Sequence, residues 1–240
     1  MKPSSILSVR APLSPLTLPR LLVAAAALVA GAAQAQVPGT MSIKLGVNTI
    51  TPHVSSGDLS APALPGSQID VKSASAPIIT AAYQFTDAVS MEVFAGLPYK
   101  HEVVGAGAIA GVGRLGSIQQ VSPTILMQYR LLNPTERFRP YVGAGLTYAM
   151  FFGAEGSGTL TALTNPGGSP TLIGDDKSLG FSAQLGGTLR LDNHWFLDLS
   201  LIKTWIDTTV PVETAPVNHS QTIQAKLDPT SINLSVGYRF

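Results

Sequence analysis

The chain of 240 residues has no cysteine, little charge and, beyond its N-terminal leader, no long hydrophobic run. Without cysteine there is no disulfide framework, no thiolate nucleophile and no Cys-ligated metal. Charged residues make up 12% of the sequence, about half the roughly 25% of soluble domains. With the leader's Lys2, Arg10 and Arg20 set aside, 12 Lys and Arg face 14 Asp and Glu, a net charge of −2 with no run of positive residues. That excludes the basic surface that nucleic acid requires. The four histidines, His53, His101, His194 and His219, show no ligand spacing on a shared element, so neither a metal nor a cofactor is expected. A hydrolase would need Ser, His and a carboxylate in defined roles. His219 and Ser220 are adjacent, but neighbours on a strand point to opposite faces. No catalytic residue is therefore assigned, and an enzyme is not expected.

The N-terminus reads as an export signal. Lys2, Arg10 and Arg20 precede an apolar run from Leu21 to Ala33, and Ala33-Gln34-Ala35 gives the small-x-small cleavage pattern. Residues 1–35 are thus a signal peptide and the mature domain spans 36–240. The run is too short for the roughly 20 residues of a membrane-spanning helix. Glycine, proline or polar residues interrupt every later hydrophobic stretch, so any further crossing must use strands.

Alternation at period two marks eight such strands. They run about Met41–Ile50, Ala76–Phe85, Val89–Tyr99, Gln120–Leu131, Arg139–Phe152, Ser178–Arg190, Trp195–Asp207 and Ser231–Phe240. The last sets Ile232, Leu234, Val236, Tyr238 and Phe240 against Ser231, Asn233, Ser235, Gly237 and Arg239. Short turns (Thr86-Asp87, Asn133 to Glu136, Asp192 to His194) alternate with long segments ending near Ser75, Gly116, Lys177 and Lys226. Short periplasmic turns and long external loops are the pattern of outer-membrane barrels. The same period also fits a soluble ligand-binding barrel with apolar residues inside. The Gly-, Ser- and Thr-rich polar face, the terminal aromatic and the sparse charge favour lipid outside. The expected fold is all-β: an eight-stranded antiparallel transmembrane β-barrel in the bacterial outer membrane. Monomer is the default, since closure satisfies the backbone without a partner.

The mature chain resembles the OmpW family of small outer-membrane barrels. The resemblance rests on five blocks in order: DAVSMEVFAGLPYKHEV (87–103), SPTILMQYR (122–130), RPYVGAGLTYAMFF (139–152), DNHWFLDLSLIKTWIDTT (192–209) and LDPTSINLSVGYRF (227–240). It implies a narrow lumen that passes small, mostly hydrophobic molecules; the long Gly- and Ser-rich third loop departs from the family pattern.

The residues themselves suggest a mechanism. An eight-stranded barrel is wide enough only for its interior side chains or one small ligand. Phe94, Leu126, Phe196, Ile202 and Ile206 share the parity of the polar face, so they are candidates for an apolar constriction, with Phe94 foremost. Alternatively they simply plug the lumen, and the external loops meet phage, bacteriocin or host surface. Lys44, Glu92, Arg130, Arg190, Asp198 and Arg239 are candidate lumen charges that pair with one another. Asp70 and Lys72 read as solvated loop charges or as the lining of a ligand entrance. Phe85, Tyr99, Tyr141, Trp195 and Trp205 read as interface anchors, and Tyr238 with Phe240 as the assembly signal for the barrel-assembly machinery. The expected partners are membrane lipid, small hydrophobic solutes and that machinery.

Overall fold

A computed structural model describes residues 38–56, 65–164, 171–173, 176–214 and 219–240. The expected signal peptide lies outside these residues. In chain order the strands are β1 (Met41–Thr51), β2 (Ser55–Ser56), β3 (Ser67–Val71), β4 (Ala74–Gln84), β5 (Val89–Gly96), β6 (Tyr99–Gly107), β7 (Arg114–Val121) and β8 (Thr124–Arg130). Then come β9 (Phe138–Gly156), helix α1 (Gly158–Thr164), β10 (Thr171–Ile173), β11 (Asp176–Arg190), β12 (Trp195–Trp205), β13 (Asp207–Thr214), β14 (His219–Lys226) and β15 (Thr230–Arg239).

Eight of these strands close on themselves: β1-β4-β5-β8-β9-β11-β12-β15 and back to β1, every pair antiparallel. Closure leaves no unpaired edge for lipid. The two faces segregate as the alternation demands. Leu45, Val47, Leu179, Leu185, Leu199, Ile232 and Leu234 point outward and are exposed, whereas Lys44, Asn48, Ser182, Gln184, Asp198, Ser200, Asn233 and Ser235 are buried in the lumen.

Aromatic residues mark the two interfaces. On β12, Trp195 and Trp205 are 48% and 46% exposed. The ten residue steps between them span about 33 Å of strand, or about 23 Å along the membrane normal at a tilt near 45°, close to the height of the lipid-facing band. Trp195 and Phe240 each meet Tyr238 edge-on at one rim, and Phe181 stacks on Trp205 at the other. Tyr99 and Tyr141 correct the expectation of anchors, because both are buried. Their phenols reach polar partners inside: Tyr141 donates to Asp198 at 3.1 Å, and Tyr99 accepts from Asn48 Nδ2 at 2.8 Å. A buried tyrosine needs such a partner.

The long segments are built rather than bare. Strand β9 runs 19 residues, and its far half pairs with β7, which pairs with β6, which pairs with β3. A second sheet has the order β10-β13-β14-β2. Val103, Leu115, Ile118, Ala149, Phe151 and Leu160 form the core of the extension above the barrel. The strands read as Val89–Tyr99 and Gln120–Leu131 are therefore shorter in the barrel, stopping at Gly96 and starting at Thr124. Pro98 and Pro123 fall in the breaks, where a residue without an N–H cannot continue a ladder.

Candidate functional site

The inward residues of the barrel strands build the lumen from the periplasmic turns upward. At the periplasmic level stand Arg130, Arg190 and Arg239, with Arg139, which sequence reasoning missed although it shares the parity of Tyr141. Phe196 lies here too, beneath the Arg239 guanidinium, 5.2 Å from its ring centroid, and against Gly237. It is thus apart from the other apolar candidates.

The next level is an ion cluster. Lys44 Nζ lies 2.9 Å from Asp198 Oδ1 and also pairs with Glu92. All three are buried, Glu92 completely. Burying one ammonium demands paired and hydrogen-bonded carboxylates, and the surroundings supply the donors. Thr80 Oγ1 donates to Glu92 at 2.9 Å, Gln128 donates to its other oxygen, and the Tyr141 hydroxyl donates to Asp198. Gln128 extends the network to Gln184 at 2.9 Å.

An apolar cluster sits directly on this ionic floor. Phe94, Leu126 and Ile202 pack with Ile50, Ala76, Ile78 and Tyr99, and the Lys44 ammonium lies 5.8 Å from the centroid of the Phe94 ring. The structure thus brings three of the five candidate constriction residues together. Ile206 belongs to the extension core above, although it lines the same cavity as Phe94 and Ile202.

That cavity has a volume of about 40 Å³, room for a few waters but far below the ~300 Å³ of a small-molecule pocket. Its lining is partly apolar, with Ile50, Ile78, Phe94, Ile202 and Ile206, and partly hydroxylic, with Thr124, Thr147 and Thr204. Thr124, Thr147, Ser182 and Thr204 form a chain of hydroxyl hydrogen bonds, 2.8, 2.7 and 2.9 Å in turn, across four strands. Beside the cavity the wall changes. The β5–β8 ladder ends at Phe94↔Thr124 and the β6–β7 ladder begins at Tyr99↔Gln120. The intervening residues include Pro98 and Pro123, and Ala95, Gly96 and Ser122 line the cavity. Farther out, Lys72 and Asp70 form a half-exposed surface pair at 3.5 Å.

Comparisons with known proteins agree with this architecture. The family model described as OmpW family matches residues 37–240. Outer membrane protein W of Vibrio cholerae is 30% identical over 216 residues, covering 90% of this chain and 95% of that one. The crystal structure of the outer membrane protein OprG from Pseudomonas aeruginosa superposes with a TM-score of 0.74 at 28% identity, covering 86% of this chain and 99% of that chain. Outer membrane protein AlkL of Ectopseudomonas oleovorans is 26% identical over 178 residues, 74% of this chain and 71% of that one.

Proposed function

The chain belongs to the OmpW family and is an outer-membrane barrel; from that premise we propose that it is a narrow channel for passive passage of small, mostly hydrophobic molecules. The observation that carries this reading is the apolar cluster of Phe94, Leu126 and Ile202 seated on a charged floor. Such a cluster repels ions and water, because burying an unpaired charge or polar group costs several kcal/mol. It gives an apolar solute a surface on which to shed water. Displacement of the Phe94 ring opens room that the 40 Å³ cavity lacks.

The route then bends. Below Phe94 the lumen holds Lys44, Glu92, Asp198 and the arginines, so an apolar solute would have to desolvate these charges to reach the periplasm. The seam between β5 and β8, where no ladder joins residues 95–98 to 121–123, offers a shorter way into the bilayer. The solute enters from the extracellular side, meets Phe94 and leaves sideways into lipid.

The test is uptake by proteoliposomes of the refolded mature protein, comparing a hydrophobic solute with a polar one of similar size. Faster uptake of the hydrophobic solute alone, altered by Phe94→Ala, supports the channel. No acceleration of either solute supports the second reading, a plugged barrel whose extension binds phage, bacteriocin or host surface. The small cavity and the sheets above the membrane favour that second reading.

A further inference from the structure

Four arginines gather at the periplasmic end of the lumen, and no step of the passage described above uses them. Arg130, Arg139, Arg190 and Arg239 belong to β8, β9, β11 and β15, members of one unbroken arc of neighbouring strands. The remaining member of the arc, β12, contributes Phe196. Arg239 lies within electrostatic range of the other three.

Arg130 and Arg239 are each only 8% exposed, and a guanidinium cannot shed its proton in a protein. Like charges this deep in a low-dielectric wall require a counter-charge. The protein's own hydrogen bonds do not supply one. Arg130 donates to Ser90 Oγ at 3.3 Å and Gln128 Oε1 at 3.2 Å, and Arg190 to the Thr135 carbonyl, all neutral acceptors. Among the described residues no carboxylate stands within ion-pair distance of Arg130, Arg190 or Arg239; Lys44 engages both lumen carboxylates. Arg130 Nη1 is buried with no hydrogen-bond partner. Asp192, in a periplasmic turn, is exposed and accepts from the backbone N–H groups of His194 and Trp195.

Planar guanidinium forks match the oxygens of phosphate and carboxylate. We propose that the periplasmic end of the lumen is an oxyanion site that holds a phosphate group on the guanidiniums of Arg130, Arg190 and Arg239. Arg139 is held by the carbonyls of Asp87 and Leu132 and adds positive field at the rim. The phosphate group comes either from free inorganic phosphate in the periplasm or from the headgroup of an inner-leaflet lipid.

The test is calorimetric titration of inorganic phosphate into the refolded mature barrel in a phosphate-free detergent, with ionic strength held constant by chloride. Saturable binding is expected, weakened about tenfold or more by Arg130→Gln and by Arg239→Gln. Arg137→Gln, in an exposed turn, leaves it unchanged. Should Arg130→Gln fail to refold, Arg239→Lys serves, since it keeps the charge, loses the fork and still weakens binding. Repeating the titration in phospholipid nanodiscs separates the sources. Equal affinity there identifies free phosphate, whereas loss in nanodiscs with retention in micelles identifies the lipid headgroup. Absence of saturable heat in micelles, or affinity untouched by the Arg130 and Arg239 variants, overturns the proposal.

Discussion

Replacing Lys44 by methionine tests the reading of the ion cluster directly. Methionine keeps most of the apolar stem and removes the ammonium, leaving Glu92 and Asp198 at 0% and 1% exposure without their cation. Breaking a buried pair by deleting one partner costs about 3–5 kcal/mol. Glu92 keeps its bonds from Thr80 and Gln128, and Asp198 keeps the Tyr141 hydroxyl, so the lower end applies. A loss of about 3 kcal/mol is a factor of more than 100 in the unfolding equilibrium. Urea titration of the refolded barrel in lipid vesicles, followed by the fluorescence of Trp195 and Trp205, measures it. The companion Lys44→Met/Glu92→Gln/Asp198→Asn should recover most of the loss, because neutral groups remove the penalty of unpaired charge. A single variant within about 1 kcal/mol of the parent, on the scale of an exposed pair, refutes the reasoning. So does a triple variant less stable than the single one.

Other outcomes follow from particular contacts. A Cβ at Gly145 would lie 1.8 Å from the Ile125 carbonyl oxygen, so Gly145→Ala should lower stability by about 2 kcal/mol or more; an unchanged urea midpoint contradicts this. His101 in the extension is buried and its Nδ1 donates to the Lys72 carbonyl at 2.8 Å, and burial holds its pKa below the usual histidine value. The unfolded chain then takes up a proton that the folded one refuses, so stability of the β6 region falls as pH drops below about 6.5. Faster hydrogen exchange over residues 99–107 at acid pH, after correction for intrinsic rates and abolished by His101→Gln, is the expected sign. Deleting Phe240 should lower the yield of folded barrel in the outer membrane while leaving refolding in detergent intact. Intact mass of the exported protein should place its first residue at Gln36.

The barrel was legible because lipid imposes one rule on every strand that crosses it. From Ser42 to Asn48 on β1 and from Ser231 to Arg239 on β15, each outward position is apolar and each inward one small, polar or charged, so faces and register could be read there from parity alone. The extension was not legible. Its strands β6 and β7 bury Tyr99, His101, Val103, Ser117 and Gln120, mixing polar and apolar residues on the inner face, and their glycines resemble a plain loop. Tyr141 was misread for a different reason: an aromatic near a strand end suits an interface, although its parity with Gly143, Gly145 and Thr147 already points it inward, where Asp198 on β12 accepts its hydroxyl. Parity could place Phe94, Leu126 and Ile202 on the inner face but not at one height, because the strand stagger that aligns them depends on register across several strands.

The strict alternation along these strands also bears on how the chain reaches its destination. Its apolar surface, which ends as one continuous belt, is stored in the nascent polypeptide as scattered residues, most of them flanked on at least one side by a polar or small neighbour. Insertion into the inner membrane selects for contiguous hydrophobic runs, and residues 36–240 offer none of the length a spanning helix needs, so nothing in them invites arrest in that membrane. Only strand pairing gathers the scattered residues onto one side. The information that marks this surface for lipid is thus unreadable during transit and appears at closure, in the membrane where the barrel stays.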